Sequence, residues 1–428
     1  MILNDSLLWG LRVLDMTQIR AGPKAARWLA DAGAEVIKVE ARGRADERGF
    51  GRRGTGATQS SQDKPITEKE QRERNRLGFE QLNRKKLGFA VDLSYPEGKE
   101  IFKRMVSVSD VVMENFSHGV MERLGLGYDE LRRHRPDLVM ISMPSFGDSG
   151  PYRDYVGFGW AQEHMAGITA RTGYANGPPQ KTGTIVGDPL NGVHAAIAIM
   201  TALVGRARTG QGRFIDFSQL ESSICLTGEA ILDYSVNGQA PQRRGNRDAH
   251  LAPQGVYRCL GDDKWISISV TTGEEWQALC DVIQLPALAS DARFRNLSER
   301  LDNQDVLDSM IEDWTKARDN HQAMEELQAA GIPAAAVLDQ DEAFTGVQSK
   351  ARGFLVELTH PDGVSHPYSR TPARFSKTPA NVRTPGPLLG EHNEYLLGML
   401  LGIPGDGRES LESSGVTATL STGLRRSQ

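Results

Sequence analysis

Short apolar runs alternating with helix-patterned segments constrain this chain more than any other feature of it. Leu11 to Met16 and Glu35 to Glu40 read as buried strands, and between them Pro23 to Asp31 is Ala-rich with Pro where a helix begins. Phe89 to Leu93, Asp110 to Asn115 and Leu138 to Met143 repeat the strand pattern, with a Pro-started helix at Pro96 to Ser107. Strands separated by helices pair in parallel rather than as hairpins, so the alternation predicts an α/β fold: a parallel sheet with helices on both faces. The first turn, Gln18-Ile19-Arg20-Ala21-Gly22-Pro23, lacks the three glycines that let a dinucleotide pyrophosphate approach a helix N-terminus. That argues against a nicotinamide enzyme and leaves a Rossmann-like sheet open.

A chain of 428 residues is longer than one ordinary core holds, so two domains are expected. Residues 1–234 read as the N-terminal part of the large domain, although Arg42 to Arg76 has almost no apolar period and reads as a long surface loop. Its clearest helix is Asn191 to Arg208, where Val193, Ile197, Met200 and Val204 recur at spacings of 4, 3 and 4 on one face. Residues 235–255 are polar, basic and turn-rich, as in a linker. Residues 256–333 read as a smaller domain, opened by a hairpin of Val256 to Cys259 and Trp265 to Val270. Residues 334–409 read as a return to the large domain through a strand at Ala334, a second hairpin at Pro361-Asp362-Gly363 and a helix from Glu391 to Leu401. Residues 410–428, rich in Ser, Thr and Gly, read as a disordered tail.

A net charge of −5 without any basic block gives no footprint for nucleic acid. Cys225, Cys259 and Cys280 are an odd number at spacings that fit neither a disulfide framework nor a zinc site. The N-terminus lacks the basic start and apolar core of a signal peptide, and no run of about 18 apolar residues occurs. The expectation is a cytoplasmic protein with no membrane partner.

Two motifs bear on chemistry. Gly147-Asp148-Ser149-Gly150 matches the tetrapeptide around a serine-protease nucleophile, but the surroundings alternate strand and helix, and turn chemistry accounts for all four residues. Gly187-Asp188-Pro189 opens the long helix and admits two readings. Asp is a favoured N-cap and Pro a favoured first helical residue; equally, a carboxylate at a helix N-terminus stays ionised and can act as a nucleophile. The nine histidines are scattered and no metal site is indicated.

Matches spread over the chain from about Leu11 to Leu401 weigh on that choice. They read VLDMTQIRAGP, AGAEVIKVE, NRKK with VDL, PEGKEIFKRM, DVVMENF, TGYANGPP with GTIVGDP, RARTGQGRFIDFS, and finally FSKTP with LLGEH. In these the chain resembles the class III CoA-transferases, the formyl-CoA transferase or CaiB/BaiF type. The resemblance implies a Rossmann-like large domain built from both chain ends, a smaller inserted α+β domain, and an interlocked homodimer. It implies that Asp188 is the catalytic nucleophile, that Arg20, Ala21, Asn83, Arg84, Lys86, Asn115 and Arg123 stand at CoA-binding positions, and that Phe158, Gly159 and Gln254 line the substrate pocket. Its partners would be an acyl-CoA and a carboxylic acid, with no cofactor beyond coenzyme A itself.

Departures from the formyl-CoA transferase pattern are local. Where those enzymes carry Lys-Val-Tyr-Glu, this chain has Val156-Gly157-Phe158-Gly159, and their glycine-rich lid appears as Asp248 to Gln254. Less polar side chains point to an acid larger than oxalate. Two relatives of the reaction compete: an intramolecular CoA transfer, in effect an acyl-CoA isomerisation, and an α-methylacyl-CoA racemase. The racemase branch places a His-Asp pair where Phe158-Gly159 stands, so its proton-transfer dyad is missing here.

Overall fold

A computed structural model of the chain describes residues 6–41, 77–240, 242–360, 363–378 and 382–419. The loop expected at Arg42 to Arg76 and the turn at Pro361-Asp362 lie outside the described residues. The chain divides into two compact units. The first draws on the N-terminal stretch ending at Ile168, on Thr182–Leu232 and on the chain from Ala351 onward; the second takes Thr169–Lys181 and Asp233–Lys350.

The first unit is built on a six-stranded sheet of β1 (Arg12–Asp15), β2 (Glu35–Glu40), β3 (Leu87–Ala90), β4 (Val111–Glu114), β5 (Val139–Ser142) and β6 (Arg213–Asp216). Every pair is parallel and the order is β3-β2-β1-β4-β5-β6. This is the doubly wound Rossmann order, in which ligands bind beyond the carboxyl ends of the strands where the order reverses. The helices that bear on the site are α1 (Ala21–Asp31), α2 (Pro96–Ser107), α3 (Val120–Leu124), α4 (Tyr128–His134), α5 (Gly159–Met165), α6 (Gly187–Thr209) and α7 (Gln219–Ile224).

Successive strand residues face opposite ways, and both faces are covered. Val13, Val36, Val111 and Val139 pack with Ala25 and Leu29 of α1 and with Ala195, Ile199 and Leu203 of α6. Leu14, Ile37, Val112 and Met140 face the other layer, with Phe102 and Met105 of α2 and Leu131 of α4.

The buried face of α6 is not the one that periodicity points to. Val193, Ile197 and Val204 are 36%, 58% and 57% exposed, and the packed face is Asn191, Gly192, Ala195, Ile199 and Leu203. Two apolar stripes run along this helix, and the one with small residues packs because it allows close approach. A Cβ at Gly192 would lie 2.8 Å from the Ala21 carbonyl oxygen and from the Lys24 side chain. By length and composition alone this 23-residue helix is long and apolar enough to cross a membrane; here its small-residue face covers the sheet.

The C-terminal part of the chain closes the β3 edge. His392 Nδ1 accepts from the Gly88 amide at 3.0 Å, Asn393 Oδ1 accepts from Ala90 at 3.0 Å, and Thr417 bridges Val91. The stretch expected to be disordered from residue 410 is thus ordered in its first part, with a helix at Gly405–Ser413; residues 420–428 lie outside the described residues.

In the second unit β7 (Gln254–Arg258), β8 (Trp265–Ser269) and β9 (Ala334–Val337) form an antiparallel sheet. α8 (Gly273–Val282), α9 (Gln304–Thr315) and α10 (Asn320–Ala329) supply the rest of a core that includes Ile266, Ile268, Trp276, Leu279, Leu307, Ile311 and Leu327. β9, read from the sequence as the first strand of the return, pairs instead with β8, because residues 330–333 are too short a link from α10 to leave the unit. The residues read as a linker are tied down within this unit. Arg247 pairs with Asp305 at 2.5 Å and Asp308 at 2.6 Å, and Arg243 donates to the carbonyls of Ala170 and Gly177 at 2.9 and 3.1 Å.

Candidate active site

Asp188 is the second residue of α6, 7% exposed, and it does not cap its own helix. The N-cap position belongs to Val186, which has no side chain able to bond the helix start. A carboxylate from α5 does that work. Glu163, fully buried, accepts from the amides of Val186 and Gly187 at 2.6 and 3.1 Å, and its other oxygen accepts from the Thr182 hydroxyl at 2.8 Å. Pro189 removes one amide that would have needed a partner at this end. The open question between cap and reactive carboxylate is therefore answered in part: Asp188 is not the cap.

Burial pushes the Asp188 pKa up to about 6, with the nearby Arg20 guanidinium opposing the rise and Glu163 adding to it. Its carboxylate lies against Gly159, the first residue of α5. A Cβ built at Gly159 would fall 2.7 Å from Asp188 Oδ1 and 2.7 Å from Ile185 Cγ2. The space that the sequence assigns to substrate at Gly159 is thus filled by the Asp188 carboxylate itself. Phe158, the N-cap residue of α5, is 56% exposed.

An amide relay fixes these two helix starts to the end of β5. Asn191, one turn after Asp188, donates to Gln162 at 3.2 Å and Gln219 at 3.4 Å; Gln219 donates to the Met143 carbonyl at 2.7 Å. Gln162 donates to Ser145, and Ser145 to the Gly157 carbonyl at 2.7 Å. Four polar side chains thus form one relay that ends on two backbone carbonyls, which is what a site needs if its geometry is to be set before substrate arrives. Sequence reasoning does not single out Glu163, Gln162, Asn191 or Gln219. They come together only through the packing of α5, α6 and α7, and nothing in their local text distinguishes them from solvated polar residues.

The other residues singled out from the sequence fall into separate groups. Arg20 and Ala21 sit at the β1–α1 turn, where Ile19 has φ 67°, a left-handed backbone uncommon for a β-branched residue. Asn115, just past β4, clamps that turn, accepting from the Gln18 amide at 2.7 Å and donating to the Gln18 carbonyl at 2.9 Å. Asn83 and Lys86 belong to a buried cluster. Lys86 donates to Asp15 at 2.7 Å, Asn83 at 2.9 Å and the Pro23 carbonyl at 3.1 Å, and burial lowers its pKa to about 8. Arg84 is fully buried and pairs with Asp31 at 2.6 Å. These side chains buttress α1 rather than lie open. Arg123, on α3, is exposed. Gln254 begins β7 in the second unit, where Ser269 donates to its side-chain oxygen.

Gly147 and Gly150 take φ of 86° and 82° in a turn, and His118 bonds Asp148 at 3.0 Å rather than Ser149, so no serine nucleophile is assembled there. Among the described residues no group of His, Cys, Asp and Glu is placed to hold a metal ion.

Residues 8–393 match the family model described as CoA-transferase family III. The chain is 34% identical to the succinyl-CoA–D-citramalate CoA-transferase of Chloroflexus aurantiacus, covering 95% of this chain and 97% of that one. It is 31% identical to the succinate–glutarate CoA-transferase of Agrobacterium fabrum, covering 92% and 95%. Among solved structures, a CAIB/BAIF family protein from Brucella suis superposes with a TM-score of 0.80 at 31% identity, over 93% of this chain and 100% of that one. The first turn without dinucleotide-binding glycines, the Rossmann-ordered sheet and a match along nine-tenths of the length agree: the chain belongs to CoA-transferase family III and is an enzyme that moves coenzyme A between an acyl-CoA and a carboxylic acid.

Proposed function

We propose that transfer runs through covalent intermediates on Asp188. The observation that carries this reading is a buried carboxylate at a helix N-terminus that is relieved of capping and has its pKa raised to about 6. Above that pH it is ionised, and the same desolvation that raises its basicity makes it a stronger nucleophile than an exposed Asp. In the proposed sequence an Asp188 oxygen attacks the thioester carbonyl, the C–S bond breaks, and a mixed anhydride and CoA thiolate result. The thiolate then attacks the Asp188 acyl carbon, releasing the first acid as its carboxylate and leaving an aspartyl-CoA thioester. The acceptor carboxylate attacks that thioester, and the same steps in reverse deliver its CoA ester and restore Asp188.

For substrate we propose a dicarboxylic or substituted acid, with succinyl-CoA as donor. Support comes from the names of the Chloroflexus and Agrobacterium relatives, from the exposed apolar Val156 and Phe158 beside the site, and from Arg20, whose charge reaches Asp188 and can pair with a second carboxylate. The working form we propose is a homodimer of interlocked chains, as the family resemblance implies; Val193, Ile197, Val204, Ile231 and Leu232 of the first unit supply the exposed apolar surface it needs. The decisive experiment is trapping. Incubation with succinyl-CoA followed by hydroxylamine should leave a hydroxamate on the peptide containing Asp188, and a label on any other residue, or none, rejects the scheme.

A further inference from the structure

Glu163 is a carboxylate with no exposure to solvent, and the two amides it binds belong to the residues immediately before the proposed nucleophile. A helix N-terminus leaves its first amides without partners inside the helix, and the partial positive charge there draws in whatever carboxylate can reach it. Two carboxylates are within reach of the start of α6. Asp188 is on the helix itself, and Glu163 comes across from α5. Were Asp188 to take these amides, its oxygens would be held by hydrogen bonds to their ionised form and would be weaker nucleophiles. In the structure Glu163 takes both, with the Thr182 hydroxyl fixing its second oxygen at 2.8 Å. Asp188 is left turned toward Gly159, where the missing Cβ gives its carboxylate room.

We propose that Glu163 is a positioning residue of the transferase reaction: by occupying the N-terminal amides of α6 it keeps the Asp188 carboxylate off its own helix start and presents it for attack. The inference rests on Asp188 being the nucleophile. Its negative charge has a second consequence, since it is one of the two charges acting on Asp188, the other being Arg20 of opposite sign. The remaining titratable groups on the surrounding elements are Lys24, Arg27 and Asp31 on α1, His164 on α5, His194, Arg206 and Arg208 on α6 and Glu221 on α7, and the charges that shift Asp188 are those of Arg20 and Glu163. The cap and the charge are separable by substitution. In Glu163→Gln the amide oxygen still accepts from Val186 and Gly187, its NH2 donates to Thr182, and the Thr182 hydroxyl turns to the Thr184 carbonyl at 2.5 Å; the cap survives and the charge does not. Glu163→Ala removes both.

The test is the pH dependence of single-turnover labelling of Asp188 by succinyl-CoA and hydroxylamine in the full-length protein and the two variants. Glu163→Gln should keep its rate at pH 8 within about threefold while the acidic limb moves down by roughly half to one pH unit. Glu163→Ala should lose on the order of a hundredfold in rate with the KM for succinyl-CoA nearly unchanged, as expected when a reacting group is displaced by about an ångström. A purely structural cap would leave the acidic limb of Glu163→Gln where it was, and that result overturns the inference, as does a Glu163→Ala protein that labels at the rate of the unmodified one. Absence of label on Asp188 in the unmodified protein is a different failure: it removes the nucleophile reading and the inference with it.

Discussion

Replacing Asp188 with Asn should make this enzyme more stable while it stops transfer. The carboxyl pKa rises from 3.8 to about 6 in the folded protein, chiefly by burial. A tenfold change in a protonation equilibrium is worth about 1.4 kcal/mol, so at neutral pH the fold disfavours its own ionised Asp188 by roughly 3 kcal/mol as an upper figure. Because the folded pKa is the higher one, the stability this group contributes is present in full below its unfolded value, is lost as the pH rises through about 6, and is gone by pH 8. Asn has nearly the same shape and no charge, so Asp188→Asn should gain on the order of 1–3 kcal/mol at pH 8. By pH 5 about half of that advantage should remain, and it should continue to shrink below that. The assay is thermal unfolding of both proteins across this pH range, scored as the difference between them so that general acid effects cancel. Transfer measured alongside should fall by about a thousandfold or more. A variant less stable than the parent at pH 8, or a gain that does not change with pH, would show that Asp188 is not held as a disfavoured anion.

Gly159→Ala should lower the rate about a hundredfold and destabilise by about 1–3 kcal/mol, since the new methyl lies 2.7 Å from Asp188 Oδ1 with Ile185 behind it; wild-type turnover in this variant refutes the contact. Arg20→Met should raise the acidic limb of the pH–rate profile, because Arg20 opposes the upward shift at Asp188. If Arg20 also pairs with substrate, the loss in kcat/KM should be larger for dicarboxylic than for monocarboxylic acceptors, and an equal loss for both places Arg20 on CoA instead. Sedimentation at nanomolar concentration should still show a dimer, and a folded monomer there removes the interlocked assembly.

What can be read from the sequence follows from how local each signal is. β1, β2, β4 and β5 announce themselves because a strand covered on both faces is apolar at consecutive positions, as at Val13-Leu14, Val36-Ile37, Val111-Val112-Met113 and Val139-Met140-Ile141, and the two layers to which Val13 and Leu14 point differ only in which helices lie there. The direction in which α6 faces is not legible. Its large apolar residues are the expected core stripe by periodicity, yet Gly192 and Ala195 form the packed face, and only the identity of α1 as an Ala-rich partner makes close approach the better solution. The strand signal at β9 points to the wrong unit for a similar reason, since three alanines carry no mark of the strand they join. The same limit governs the site. Asp188 is visible because Gly-Asp-Pro at a helix start has few uses, but the text around it fits a cap as well as a nucleophile. The choice depends on Glu163, whose role exists only where α5 meets the start of α6. Gly159 shows the converse. Read as an absent side chain it means room for substrate, whereas in three dimensions the room is already taken by the Asp188 carboxylate. In a site of this kind a glycine cannot be counted as pocket volume until the atom nearest its missing Cβ is known, so the argument for a larger acid rests on the exposed Phe158 and on Arg20, whose charge reaches Asp188.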